Sequence, residues 1–129
     1  MAFRFKWMDD RKQAMLYIVE GDWNWKDYHH VIRASTFSMH GVEHPIHSVI
    51  DLRGSTRATL PSGLLGHVRS FGKKNHHMLS GRAIVIGMPQ EGLDTLQLGD
   101  DKTLPTNDGF VCFVTSQDEL ERVLQEWAS

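Results

Sequence analysis

Between Asp51 and His67 the chain reads "DLRGSTRATLPSGLLGH", seventeen residues in which the hydroxyls of Ser55, Thr56, Thr59 and Ser62 alternate with the guanidinium groups of Arg53 and Arg57. The stretch opens on an acid that closes an apolar run and contains no other. Hydroxyls and the free amides of a helix start donate hydrogen bonds to an anion, and arginine adds charge-assisted ones. The chemistry this spacing supports is anion reception by Arg53, Ser55, Thr56, Arg57, Ser62 and Gly63. The competing reading is that Ser55, Thr56 and Ser62 only cap and turn the chain while the arginines are solvated. Asp51 reads as structural: at the end of an apolar strand its carboxylate accepts hydrogen bonds from the amides of the following loop.

Other chemistries fit the residues less well. Asp51, His67 and Ser62 are the residue types of a hydrolase, but "SGLLG" is not G-x-S-x-G and no strand leads directly into Ser62. No G-x-x-x-x-G-K-[ST] occurs, so no P-loop holds a nucleotide. His40, His44 and His47 are spaced like ligands on one helix face, yet Gly41 and Pro45 interrupt any such helix. The expectation is no metal, no cofactor and a chain that is not an enzyme. Cys112, the only cysteine, lies within the apolar run "GFVCFVT" and reads as a core thiol.

The elements that position the stretch follow from periodicity. "FRFKWM" and "QAMLYIVEG" around the polar turn "DDRK" predict an amino-terminal hairpin closed by Gly21. Asn24, with Asp27 three residues on, marks a helix start, and Trp25, Tyr28, Val31 and Ile32 recur at helical spacing before Gly41. "IHSVIDL" is a short strand. "PSGLLGHVRSFGKKNHH" then predicts a second helix starting at Pro61, with Leu64, Leu65, Val68 and Phe71 as its stripe. "RAIVIGM" and "FVCFVT" are buried strands, with a short helix around Leu93 to Leu98 between them. Ser116 and Glu119 form an S-x-x-E capping box ahead of a terminal helix whose apolar face is Leu120, Val123, Leu124 and Trp127. The order β-β-α-β-α-β-(α)-β-α predicts one α/β domain over residues 1–129, with a mixed, mostly parallel sheet.

Length and charge set the bounds. The chain has 129 residues, 40% hydrophobic and 23% charged, which suits one globular domain. No apolar run is long enough to cross a membrane, and "MAFRFKWMDD" lacks the apolar core of a secretory signal, so the expected location is cytoplasmic. The net charge of −2 conceals an asymmetry: residues 52–90 carry +6 with no acid, and residues 91–129 carry −7. The tryptophans lack the interleaved basic residues of a nucleic-acid platform, which argues against that class of partner.

With "VIDLRG" running into "PSGLLGHV", this order resembles the STAS family, typified by bacterial anti-sigma-factor antagonists and by domains appended to anion transporters. The resemblance covers roughly residues 15–127. In that family a strand and a short loop lead to an Asp-Ser-Ser-Gly-Leu helix start whose first serine is phosphorylated. Aligning Gly63 and Leu64 with the Gly-Leu places Ser62 at the second serine, Pro61 at the phosphorylated one and Leu60 at the aspartate. Any phosphoacceptor here is then displaced, with Ser55, Thr56, Thr59 and Ser62 as candidates. The resemblance implies a divergent, stand-alone member of the fold, in a neighbourhood of shapes that includes lipid-binding domains.

Two function classes follow. The first is a non-catalytic regulatory or interaction module whose basic loop docks an acidic or phosphorylated protein partner. The second is a carrier of a small amphipathic anion such as a lipid, which an apolar cavity beside Arg53 and Arg57 would favour. A homodimer is compatible with either.

Overall fold

Alternating side chains at the amino-terminal end build the first edge of the sheet. In the computed structural model, which describes residues 3–8, 10–21, 24–55, 79–98, 100, 102–106 and 108–128, β1 (Phe3–Trp7) pairs antiparallel with β2 (Ala14–Gly21). Asn24 then caps α1 (Trp25–Ser35), its side chain accepting the Asp27 N–H at 2.9 Å. Tyr28, Val31, Ile32 and Ser35 are buried at the i, i+3, i+4, i+7 spacing of one helix face. A 3-10 turn (Thr36–Met39) ends the helix and buries Met39.

Next come β3 (Ile46–Ser55), β4 (Leu79–Ile86), α2 (Gln90–Leu96), β5 (Thr103–Pro105), β6 (Phe110–Val114) and α3 (Gln117–Ala128). The six strands lie in the order β1-β2-β3-β4-β6-β5; the four inner ones are mutually parallel, and each edge strand runs antiparallel to its neighbour. The chain is thus α/β, with a mixed six-stranded sheet and three helices among the described residues.

Strand alternation sends side chains to two cores. Met15, Tyr17 and Val19 join Tyr28, Val31 and Ile32 of α1 on one face, while Ala14, Val49, Ile84, Ile86 and Val114 meet Leu120 of α3 on the other. Phe3 meets Tyr28 edge-on at 5.9 Å. The Tyr17 hydroxyl lies 2.7 Å from Ser35 Oγ. Ser35 itself donates to the Ile32 carbonyl, so Tyr17 is the donor of the pair. Burial pushes the Tyr17 hydroxyl up to about 12, and its bond to Ser35 offsets only part of that rise.

Several elements differ from the sequence reading. β3 does not stop at Leu52, where "IHSVIDL" ends; it continues through Arg53 and Gly54 to Ser55, because Glu20 and Gly21 at the end of β2 still offer pairing partners. Ser55 is therefore a strand residue rather than a loop residue. β4 starts at Leu79, three residues early, paired with Ile46. β5 was not foreseen in the turn-rich stretch before Gly109, where it forms by pairing antiparallel with β6. The helix expected from Pro61 lies outside the described residues. Cys112 is half-buried, packed against the α3-side core. No helix among the described residues is long and apolar enough to cross a membrane.

Candidate functional site

Parallel strands end where their following loops begin, and at that edge β3 carries Asp51 and Arg53, two residues apart and so on the same face. Asp51 accepts three bonds from Arg53: the backbone N–H at 2.9 Å, Nε–H at 3.0 Å and Nη2–H at 2.9 Å. The guanidinium also donates through Nη2 to Gln117 Oε1 at 2.9 Å, which ties the strand end to the first residue of α3. Burial alone would raise the Asp51 pKa. The hydrogen bonds and charge of Arg53 outweigh it and hold the carboxyl below its ordinary value of 3.8. Arg53 is held correspondingly above its own ordinary value by the same bonds.

The guanidinium has a fixed base as well as fixed partners. Gly87, just after β4, has φ +88°, and a Cβ there would press on the Arg53 backbone N and Cγ. Only glycine lets the two segments approach this closely. Arg53 Nη1 has no hydrogen-bond partner among the described residues. No carboxylate for it can come from residues 56–78, which contain no acid. The Arg53 side chain remains 46% exposed while that of Asp51 is 15% exposed, so the pair presents its cationic member outward.

Of the residues singled out by sequence, Asp51, Arg53 and Ser55 are within described segments, and Asp51 and Arg53 are joined directly. Thr56, Arg57, Thr59, Ser62 and Gly63 lie outside the described residues. At the helix start beside this edge, Ser116 Oγ accepts the Glu119 N–H at 3.2 Å, and the Glu119 carboxylate reaches back to the Thr115 N–H at 3.1 Å.

A second cluster lies at the opposite, amino edge of the parallel strands. His47, 6% exposed, places Nδ1 2.7 Å from Ser80 Oγ across β3 and β4. Ser80 Oγ also accepts the Arg82 N–H at 3.0 Å. Here β4 bulges: Ile46 pairs with Leu79 and Ser48 with Ala83, so three residues of β4 oppose His47 alone. Gly81 makes the bulge possible with φ +83°, turned against the Asp108 carbonyl and Gly109, where no Cβ fits. The His47 ring lies 4.9 Å from that of Trp127 on α3, and the Arg82 guanidinium stands 5.8 Å from the Phe110 ring and 5.9 Å from that of Trp127. Burial, with the charge of Arg82 and then of His44 beside it, lowers the His47 pKa to about 4, so the imidazole is neutral at pH 7.

By sequence, His47 is one of three histidines with a metal-like spacing, His40, His44 and His47, and the structure gives His44 and His47 different surroundings. His44 is exposed, with Nδ1 near the Pro45 carbonyl and Nε2 near that of Arg11, whereas His47 is packed into the sheet. Ser80 and Arg82 carried no signal beyond Gly81 between them. Such a glycine ahead of a strand run is consistent with a bulge, but pairing with His47 depends on register.

A cleft of about 280 Å³ also opens at the amino edge, between the β1–β2 turn and α3, where the apolar Met8, Ala14 and Leu124 are joined by the polar Arg11, Gln13, Glu121 and Gln125. It lies at the opposite edge of the sheet from Arg53, since Ala14 pairs with His47 at the start of β3. The chain matches no family model, no curated protein and no solved structure.

Proposed function

We propose that the chain is a non-catalytic interaction module that receives an anionic group at the carboxyl edge of its parallel strands, with Arg53 as the anchoring cation. The observation that carries this reading is the state of that arginine. Asp51 and Gln117 hold Nε and Nη2, and Nη1 keeps two N–H donors without partners among the described residues. A guanidinium held this way binds an oxyanion at a lower entropic cost than a free side chain does.

Asp51 cancels the formal charge of Arg53, so the attraction must draw on the cations of residues 56–78, Arg57, Arg69, Lys73 and Lys74. On the STAS-like reading that stretch is also the partner-facing part of the fold, with Ser55, Thr56, Thr59 and Ser62 as hydroxyl donors or displaced phosphoacceptors. The partner is then an acidic or phosphorylated protein segment. Among the described residues the carrier reading has no comparable observation, since the cleft that opens at the amino edge is remote from Arg53.

The test is titration of inorganic phosphate and of an acidic phosphopeptide into isotope-labelled protein, observing the Arg53 Nε–H resonance. Both ligands should move it, less so at high salt. Arg53→Gln should abolish the response of the neighbouring amides. Unchanged resonances with both ligands would overturn the proposal.

A further inference from the structure

Two hydrogen-bonding groups at the amino edge of the sheet have no partner among the described residues, although each is packed against aromatic rings. The first is the Arg82 guanidinium. Arg82 spends its backbone N–H on Ser80, and its side chain has no hydrogen bond or ion pair among the described residues. Phe110 and Trp127 hold it from the rings instead. Stacking on aromatic rings leaves the in-plane N–H edges of a guanidinium open, and those edges match a carboxylate in a bidentate pair.

The second group is His47 Nε2. Ser80 Oγ accepts from the Arg82 N–H and keeps a second lone pair, but its own proton has no other acceptor among the described residues, so the arrangement that satisfies both groups has Ser80 donating to His47 Nδ1. The neutral imidazole then carries its hydrogen on Nε2, which has no hydrogen-bond partner among the described residues although His47 is 6% exposed. A buried N–H without a partner is destabilising, and a ligand acceptor would relieve it. His47 and Arg82 both touch the Trp127 ring, so the two unsatisfied donors share one indole as a wall.

We infer that this edge is a second ligand site, built to take a carboxylate on an aromatic body, with Arg82 as its ion-pair partner, His47 Nε2–H as a further donor, and Phe110 and Trp127, packed edge to face at 5.6 Å, as one continuous apolar floor. The site is independent of the one at Arg53, which lies at the other end of β3. Its electrostatics favour an anion. The charges acting on His47 are Arg82 from β4 and His44 from the segment before β3; α3 contributes the uncharged Trp127, and Gln13, just before β2, accepts the His47 backbone N–H through its carbonyl. The bulge at Gly81 gives the device its geometry, since it sets three residues of β4 against His47 and brings Ser80 Oγ to Nδ1.

The test uses benzoate, acetate and inorganic phosphate as probes of the whole chain, read from the His47 imidazole and Trp127 indole resonances. Benzoate should move both, and acetate should do so more weakly because it lacks the ring. Bound benzoate should also raise the His47 midpoint, as a nearby anion favours imidazolium. Arg82→Gln should weaken benzoate binding about tenfold or more, through loss of the bidentate pair. Arg53→Gln should leave it unchanged. The inference is overturned if benzoate moves neither resonance at tens of millimolar, if the Arg82→Gln protein responds like the wild type, or if phosphate binds there and benzoate does not.

Discussion

Trp127, in the last turn of α3, closes over His47 at a ring separation of 4.9 Å, so the amino edge of β3 is roofed by the end of the terminal helix. The contact joins the helix to a histidine whose pKa is lowered from 6.5 to about 4. The folded state therefore disfavours the imidazolium that the unfolded chain accepts freely. Between these values the unfolded state binds more protons, and stability rises with pH. The contribution is present above pH 6.5 and is lost as pH falls through 6.5 towards 4. Urea melts across that window should show the slope in the wild type and a flatter profile in His47→Gln.

The bulge that sets Ser80 against His47 depends on Gly81. Its φ of +83° disfavours any side chain, and a Cβ would fall on the Asp108 carbonyl. Gly81→Ala should cost about 2–4 kcal/mol from backbone strain and the steric clash together. Thermal melting reads the loss. The His47 imidazole resonances should shift as well, because moving the bulge breaks the bond to Ser80; an unaltered imidazole would show that the bulge does not position Ser80.

Tyr17 and Ser35 present a buried bond of a different kind. Ser35 Oγ gives its proton to Ile32 and accepts that of Tyr17 at 2.7 Å, linking β2 to the last turn of α1. Tyr17→Phe should destabilise by about 1 kcal/mol, because Ser35 keeps its other bond. Ser35→Ala should cost more, since it leaves the Tyr17 hydroxyl buried without an acceptor. Equal losses in the two variants would contradict the assigned direction of donation.

At the other end of the terminal helix, Ser116→Ala should cost about 1 kcal/mol through loss of the bond from the Glu119 N–H. Leu120, 1% exposed, makes a larger contribution, and Leu120→Ala should cost about 2–5 kcal/mol. Truncation after Thr115 removes both together with the Trp127 roof and should prevent folding, as circular dichroism would show.

What the sequence made legible is what local patterns encode. The Asn24 and Ser116 caps, the α1 stripe through Tyr28 and Val31, and the apolar runs that became β4 and β6 are each written within a few neighbouring residues. Pairing partners are not. β3 runs on to Ser55 because β2 is still beside it, and β5 exists because β6 accepts it, so neither has a local signature. The same holds for the sites. Asp51 and Arg53 were visible as neighbours in the chain, while Gln117 reaches them from 64 residues away. His47, Ser80, Arg82 and Trp127 meet only through the register of three strands and the docking of one helix.

Asp51 and Arg53 allow orientation of the cation to be separated from its charge. Asp51→Asn keeps one oxygen for the Arg53 N–H but cannot receive both Nε–H and Nη2–H as a carboxylate does. The pair is partly solvent-exposed, so the stability lost should be small, about 1 kcal/mol or less. Its sign with pH is fixed: the Asp51 pKa is lowered in the folded state, so the contribution is present above the ordinary carboxyl value of 3.8 and is lost as pH falls below it. The larger effect should be on order. In the wild type the Arg53 Nε–H should exchange more slowly than in Asp51→Asn at every pH at which Asp51 is ionised, and the difference should vanish as the carboxyl protonates below 3.8. Anion binding at this edge should then weaken in Asp51→Asn even though the local charge has become more positive, because the guanidinium is no longer held in place. Tighter binding by that variant would show that net charge, rather than the fixed fork of Arg53, governs reception.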